Sequence, residues 1–266
     1  MQEGPSPQQG GGLFVCLYPK VQIDVMRRGK EEQMKYSFIA PPVPSFSRWI
    51  AMRRRDPKQS VLRMLQNEFI LTLLITGKVL DMGGGRKAKY LPLLPPGLDI
   101  TSVNIDAEFA PTHLVKPGQP LPFEDNSFDS VICFNTLEHI YDAPAVLAEL
   151  HRVVKPGGLV HVTVPFMFRI HGHPDDYFRA TPSWWRETFS RTVFAALEFH
   201  PLVWGRASTA SVVPGFRGIA PRAKLHIAML KDILSTSFTF KQDRMYGPRG
   251  ERIAGTSPGW FMTGMK

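Results

Sequence analysis

Two stretches of this sequence concentrate side chains able to do chemistry. One is Met167–Pro182, MFRIHGHPDDYFRATP, where His171, His173, Asp175, Asp176, Tyr177 and Arg179 fall within nine residues. A histidine titrates near neutrality, so it can take a proton from a hydroxyl, and a neighbouring carboxylate can hold it in orientation. His171 and His139 are the candidate bases, with Asp176 as the orienting partner. A purely structural role, tying the loop together, is the competing reading for both histidines. Arg179 could clamp an anionic substrate group, but an ion pair with Asp175 is the expectation. His171-x-His173 with Asp175 or Asp176 also offers nitrogen and oxygen donors to a metal. Neither a cysteine nor a helical H-x-x-x-H spacing accompanies them, so no metal centre is expected.

The other stretch is Asp81–Ala88, DMGGGRKA, followed by Asp106. Glycines let the backbone turn sharply and approach a ligand closely. A carboxylate about 20 residues further on can accept hydrogen bonds from both hydroxyls of a ribose, and turn plus acid is an adenosine-binding arrangement. Gly83-x-Gly85-x-x-Ala88 fits the loose dinucleotide fingerprint, which keeps a nicotinamide or flavin cofactor in view. Asp81 speaks against it. Two residues before the first glycine, its charge would repel a pyrophosphate. The same charge suits S-adenosylmethionine, which carries an ammonium and a sulfonium.

These residues need elements to hold them. Val61, Leu62, Leu65, Phe69, Leu73 and Leu74 recur at helical spacing and predict a helix over about 59–75. Short apolar runs predict strands at 78–82, 100–105, 112–115, 129–135 and 158–165. A helix over 143–154, capped by Asp142, is stopped by Lys155-Pro156-Gly157-Gly158. Thr181 is expected to cap a helix over 181–189, in which one of Trp184 and Trp185 could line a substrate pocket. The runs at 193–199 and 224–230 are expected to be the last two strands. Strands alternating with helices argue for an α/β fold, a doubly wound and mostly parallel seven-stranded sheet. Ligands bind such sheets at the carboxyl ends of the strands, near the switch point.

The 266 residues carry 43% apolar and 21% charged side chains, ordinary globular usage that excludes wholesale disorder, collagen and coiled coil. The net charge of +9 is concentrated at the flanks, with ten Lys/Arg against five Asp/Glu in 1–58 and ten against three in 201–266. Such flanks can attract phosphate-bearing partners, although a solvated surface is the commoner meaning. The expected division is an N-terminal extension over 1–58, partly disordered, a domain over 59–240 and a basic C-terminal tail over 241–266. Cys16 and Cys133 make no disulfide framework, no run reaches the ~18 apolar residues of a membrane span, and the start lacks a secretory pattern. A cytoplasmic protein is the simplest expectation.

From Lys78 to Phe189 the chain resembles class I S-adenosylmethionine-dependent methyltransferases of the type-11-like kind. The resemblance rests on VLDMGGG, VNID, LPFEDNSFDSVICFNTLEHI and LHRVVKPGGLVHVTVP, in that order. It implies S-adenosylmethionine as cofactor and assigns roles by position. Asp81, Gly83 and Gly85 would line the methionine end, Asp106 would hold the ribose, and Ile105 or Ala107 would flank the adenine. Gly118 and Gln119 would meet the adenine edge. Asn135 would lie by the methionine moiety, with Leu137 and His139 at the mouth. Lys87 replaces a frequent third glycine, and Pro117 a frequent acid before LPF. The 167–182 run resembles a mostly bacterial subgroup with an HG-x-P-x-D-Y-x-R-x-T pattern, often found alongside sugar and surface-polysaccharide synthesis. A small-molecule acceptor is therefore expected, methylated on an oxygen of a sugar, glycan or other metabolite. The alternatives are a nucleic-acid or protein methyltransferase and a catalytically silent protein of the same fold. The basic flanks favour nucleic acid, but CFNTLEH stands where many base amino-group methylators carry N/D-P-P-Y/F.

Overall fold

The computed structural model describes residues 20–22, 34–172, 174–215, 219–239 and 251–266. In chain order the strands are β1 (Lys20–Gln22), β2 (Lys35–Ile39), β3 (Lys78–Met82), β4 (Asp99–Asn104), β5 (His113–Leu114), β6 (Phe128–Phe134), β7 (Val154–Pro165), β8 (Ala196–Leu202) and β9 (Gly259–Met265). The helices are α1 (Phe46–Arg55), α2 (Val61–Ile70), α3 (Ala143–Val153), α4 (Pro182–Arg191), α5 (Arg206–Val212), α6 (Pro221–Thr239) and α7 (Glu251–Ala254). All nine strands form one sheet in the order β1-β2-β8-β9-β7-β6-β3-β4-β5. The run from β8 to β5 around β3 is the doubly wound arrangement, and β9 alone in that run is antiparallel to both neighbours. Among the described residues no helix is long and apolar enough to cross a membrane.

Successive residues of a strand point to opposite faces. In β6, Val131 and Cys133 therefore enter one core with Leu147, Leu150 and Trp185. Ile132 and Phe134 enter the other, with Leu65, Phe69 and Trp204. Each central strand is apolar on both faces because helices cover both. Local signals set the helix starts: Ser60, Asp142 and Thr181 each accept a backbone N–H in the first turn of α2, α3 and α4.

Several expectations are corrected. Among the described residues the sheet has nine strands, not seven. Residues 224–230 lie within α6, where Leu225, Ala228 and Met229 are buried at the i, i+3, i+4 spacing of a helix. The true last strand, GWFMTGM, belongs to the segment expected to be a basic tail. Its Trp260, Phe261 and Met262 are fully buried between β7 and β8. The positive charge that marked the tail stands mostly upstream, at Lys241, Arg244, Arg249 and Arg252. The N-terminal extension is likewise part of the body: β2 pairs in parallel with β8, and α1 puts Trp49 and Met52 into the core. Helix α2 stops at Ile70, so Leu74, assigned to its apolar stripe, is 90% exposed. Strand β8 begins at Ala196 rather than at Val193, which has φ +64° and is exposed. Residues 1–19 and 241–250, with Cys16 and His173, lie outside the described residues.

Candidate active site

The carboxyl ends of β3, β4 and β6 surround a cavity of about 420 Å³. Its floor is the glycine turn after β3. Gly83 has φ +82°, and a Cβ there would fall 2.2 Å from Thr136 Oγ1, so both conformation and space demand glycine. The Asn104 side-chain amide donates to the carbonyls of Gly83 (2.8 Å) and Gly84 (3.1 Å), while its oxygen accepts from the Asp106 amide at 3.1 Å. One side chain at the end of β4 thus fixes the glycine turn relative to the acid that follows it.

Asp81 is fully buried beneath this turn. Its Oδ1 accepts from the Tyr90 hydroxyl at 2.6 Å, whereas Oδ2 is buried without a hydrogen-bond partner. Burial pushes the acid up to about 7, against the opposing pull of the Tyr90 hydroxyl and the Gly85 amide. A buried carboxylate with an unsatisfied oxygen costs stability and persists where a ligand supplies the missing partner.

Helix α2 closes the opposite wall with Arg63 and Asn67, which also line the cavity. Gln66, between them in space, accepts from Arg63 Nη1 at 3.1 Å and from the Asn135 amide at 3.0 Å. Asn135 has φ +52°, and its backbone N–H donates to Thr163 O at 2.8 Å. It therefore turns the chain out of β6 and faces the cavity. Burial draws the Arg63 guanidinium below its ordinary value, against the nearby Glu138, Tyr90 and Asp56.

At the far end the 167–182 loop docks on the turn after β6. The Tyr177 amide donates to Glu138 O at 2.9 Å, and His139 Nδ1 lies 2.5 Å from Asp175 O. The rings of His139 and His171 stand 5.1 Å apart and nearly perpendicular. Arg179 pairs with both oxygens of Asp176, not with Asp175 as expected. Asp176 also accepts from the His171 amide at 2.8 Å and lies 3.3 Å from its Nδ1. Burial would raise Asp176, but Arg179 and the His171 amide outweigh it and hold the acid below the usual carboxylate range. Burial lowers His171, which keeps the ring neutral and able to accept a proton. His171 opens on a small adjoining cavity of about 60 Å³ that it shares with Arg63, Asn135 and Glu138.

Of the residues singled out in the sequence, Gly83, Lys87, Ala88, Ile105, Asn135 and His139 line the main cavity. Asp81 and Gly85 stand directly behind the lining: a Cβ on Gly84 would fall 1.9 Å from Asp81 Oδ2, and one on Gly85 would fall 2.2 Å from Phe109 O. Asp106 sits at the rim beside Ile105, where its Oδ1 accepts from the Glu108 amide at 2.8 Å. Gly118 and Gln119 lie outside the lining, exposed on the turn that Lys116–Gln119 makes after β5; Val115 is the lining residue from that segment. Trp185 is core, and Trp184 packs on Phe178; neither lines the cavity. Sequence reasoning passed over Arg63, Gln66, Asn67, Asn104, Tyr90 and Glu138. Three polar residues at i, i+3 and i+4 on the buried face of α2 were a readable signal.

The methyltransferase domain family matches residues 80–162. That span holds the glycine turn, Asp106 and His139, and stops short of His171 and Asp176. Over 92 residues the chain is 34% identical to a demethylmenaquinone methyltransferase of Corynebacterium glutamicum, covering 32% of this chain and 40% of that protein. Over 117 residues it is 27% identical to a ubiquinone biosynthesis O-methyltransferase of Dechloromonas aromatica, covering 39% and 48%. The chain thus spans less than half the length of these curated relatives. A solved SAM-dependent methyltransferase from Archaeoglobus fulgidus aligns with 82% of this chain and 99% of its own, at 14% identity and a TM-score of 0.49.

Proposed function

We propose that this protein is an S-adenosylmethionine-dependent methyltransferase that delivers the methyl group to an oxygen of a small-molecule acceptor. The observation that carries the proposal is Asp81, a buried acid with an unpartnered oxygen under a glycine turn at the switch point of the sheet. An ammonium group is the natural partner for that oxygen. Arg63 at the opposite wall suits the carboxylate of the same amino-acid moiety. The cavity falls within the ordinary range for small-molecule sites. A dinucleotide would bring its pyrophosphate against Asp81, which disfavours the oxidoreductase reading.

When bound, the cofactor supplies a methyl group on a sulfonium, open to in-line attack. The protein's share of the work is placement: the glycine turn, Asn104 and Asp106 seat the donor, and the 167–182 loop closes the acceptor side. Good alignment in a water-poor cleft accounts for roughly 7–11 kcal/mol in favourable cases. His139 and His171 handle the acceptor's hydroxyl proton, a contribution of about 10²–10⁴-fold. Of the two relatives, only the ubiquinone biosynthesis enzyme is named an O-methyltransferase; the choice of oxygen rests on the His139 and His171 pair at the acceptor end, and quinone-related or sugar acceptors are the classes to test.

Calorimetric titration with S-adenosylmethionine tests the proposal. Binding that Asp106→Ala weakens about tenfold or more is the expected result, because a ribose would lose an acceptor for two hydroxyls. An absence of binding at millimolar cofactor would overturn the proposal. For catalysis, His171→Ala should reduce turnover by about 10²-fold with cofactor affinity within a factor of three. Equal losses in both would mean that His171 only holds the loop.

A further inference from the structure

Glu138 is left without a task by the functional reading. Its residue is 1% exposed, and both carboxylate oxygens are buried without a hydrogen-bond partner. It is not alone: one ligand atom from each of Glu138, His139 and His171 lies within 4.8 Å of the other two. His139 Nδ1 faces a carbonyl, which can only accept, so the ring proton sits on Nδ1 and Nε2 carries the lone pair. That lone pair is 3.7 Å from Glu138 Oε1. The two atoms thus face each other at a distance too long for a hydrogen bond between them.

His171 is arranged in the same way. Its Nδ1 lies 3.3 Å from two acceptors, Arg169 O and Asp176 Oδ2, against a single donor, Arg179 Nη2, at 3.4 Å. The proton therefore belongs on Nδ1 and the lone pair on Nε2. Metal-ligating histidines are characteristically held like this, with the second ring nitrogen donating to a carbonyl or carboxylate.

We infer that Glu138, His139 and His171 form a binding site for a divalent first-row transition metal at the acceptor end of the cleft. Two imidazoles and one carboxylate suit zinc, cobalt or manganese better than magnesium or calcium, which favour all-oxygen sites. Ligand–metal distances of roughly 2.0–2.2 Å require the three groups to draw together by less than 1 Å. Arg63 and Arg179 also face Glu138, so affinity should be micromolar rather than that of a structural zinc site. The inference rests on the methyltransferase reading for its purpose. With a cation bound, the two histidines would hold it rather than take the proton: the cation would lower the pKa of an acceptor hydroxyl beside it, the proton would pass to solvent water, and the oxygen would bond to the methyl carbon as the carbon–sulfur bond of the sulfonium breaks, leaving a neutral thioether.

The test is a Co²⁺ titration of the full chain followed by visible absorption, with Zn²⁺ competition by calorimetry. One equivalent of Co²⁺ should bind at micromolar concentration with visible d–d bands that Zn²⁺ abolishes. Glu138→Gln and His171→Ala should each weaken binding at least tenfold, and His113→Ala, which alters an exposed histidine on β5, should not. His139→Asn, at a partly exposed ring, replaces either variant should that variant lose its thermal transition. Wild-type protein that takes up no Co²⁺ below millimolar, or whose binding survives these substitutions, would refute the inference. S-adenosylmethionine is titrated into the same samples without added metal: binding there with no metal uptake refutes the metal site alone, whereas metal uptake with no cofactor binding refutes the methyltransferase reading alone.

Discussion

Replacing Asp81 by asparagine is expected to weaken binding of S-adenosylmethionine by roughly 30-fold to several thousand-fold, without weakening the fold. Removing one partner of a buried, hydrogen-bonded charge pair costs about 2–5 kcal/mol in binding, because the other charge is then left desolvated. In the cofactor-free protein the same carboxylate is a liability: it is fully buried, one oxygen lacks a partner, and burial pushes it up to about 7. The folded state therefore binds more protons than the unfolded chain between about pH 4 and 7, and stability falls as pH rises through that window. Asp81→Asn should abolish this part of the fall and melt no lower than wild type at pH 8. Affinity runs the opposite way. The cation favours the ionised acid, so binding below about pH 7 releases a proton and tightens as pH rises. It should level off near pH 7 and weaken again above about 8, where an α-amino group loses its own charge. The variant should lack the acid limb. Calorimetry in two buffers of different ionisation enthalpy would detect the released proton. An Asp81→Asn protein that binds the cofactor like wild type would remove Asp81 from the site.

The second large effect concerns the end of the chain. Trp260→Ala should cost about 3–5 kcal/mol, the range for deleting a large aromatic from a core. In a protein of this size that is roughly a 6–20 °C drop in melting temperature. Trp260 is fully buried, packs on Phe166 and Phe199, and its indole N–H donates to Ala180 O at 3.0 Å, the residue just before the cap of α4. It therefore ties the last strand to the end of the 167–182 loop. Cofactor affinity of the folded fraction should change little, since β9 lies on the far side of β7 and β6 from the glycine turn. A shift of less than 2 °C would contradict the placement of β9 inside the sheet.

The donor half of the site was legible in the sequence because it is built from local signals. A strand with Asp81 near its end, three glycines, a second strand and Asp106 lie within 29 residues, Lys78 to Asp106, and each acts through its own backbone or its near neighbours. The left-handed turn at Gly83 and the helix caps at Ser60, Asp142 and Thr181 are of the same kind. Even here, a strong motif did not locate Gly118 and Gln119, which the Lys116–Gln119 turn carries into solvent.

The rest of the site had no such local code. Arg63, Gln66 and Asn67 matter because α2 packs over the ends of β3 and β6. Glu138 matters because the 167–182 loop folds over it and brings His171 to His139. Arg179 chose Asp176 over Asp175 because the buried acid, with the His171 amide on it, gains more from a charged partner than the exposed one does. Strand β9 reads as a short apolar run among glycines, and only its slot between β7 and β8 makes it a strand rather than a tail. From sequence alone came the order of the central elements and the glycine turn with its two flanking acids, because turns, caps and alternating apolar runs act over a few residues. Which side chains share the acceptor end, and which buried charges go unpaired, was decided by tertiary packing, because burial and charge pairing join residues up to 108 positions apart, from Arg63 to His171.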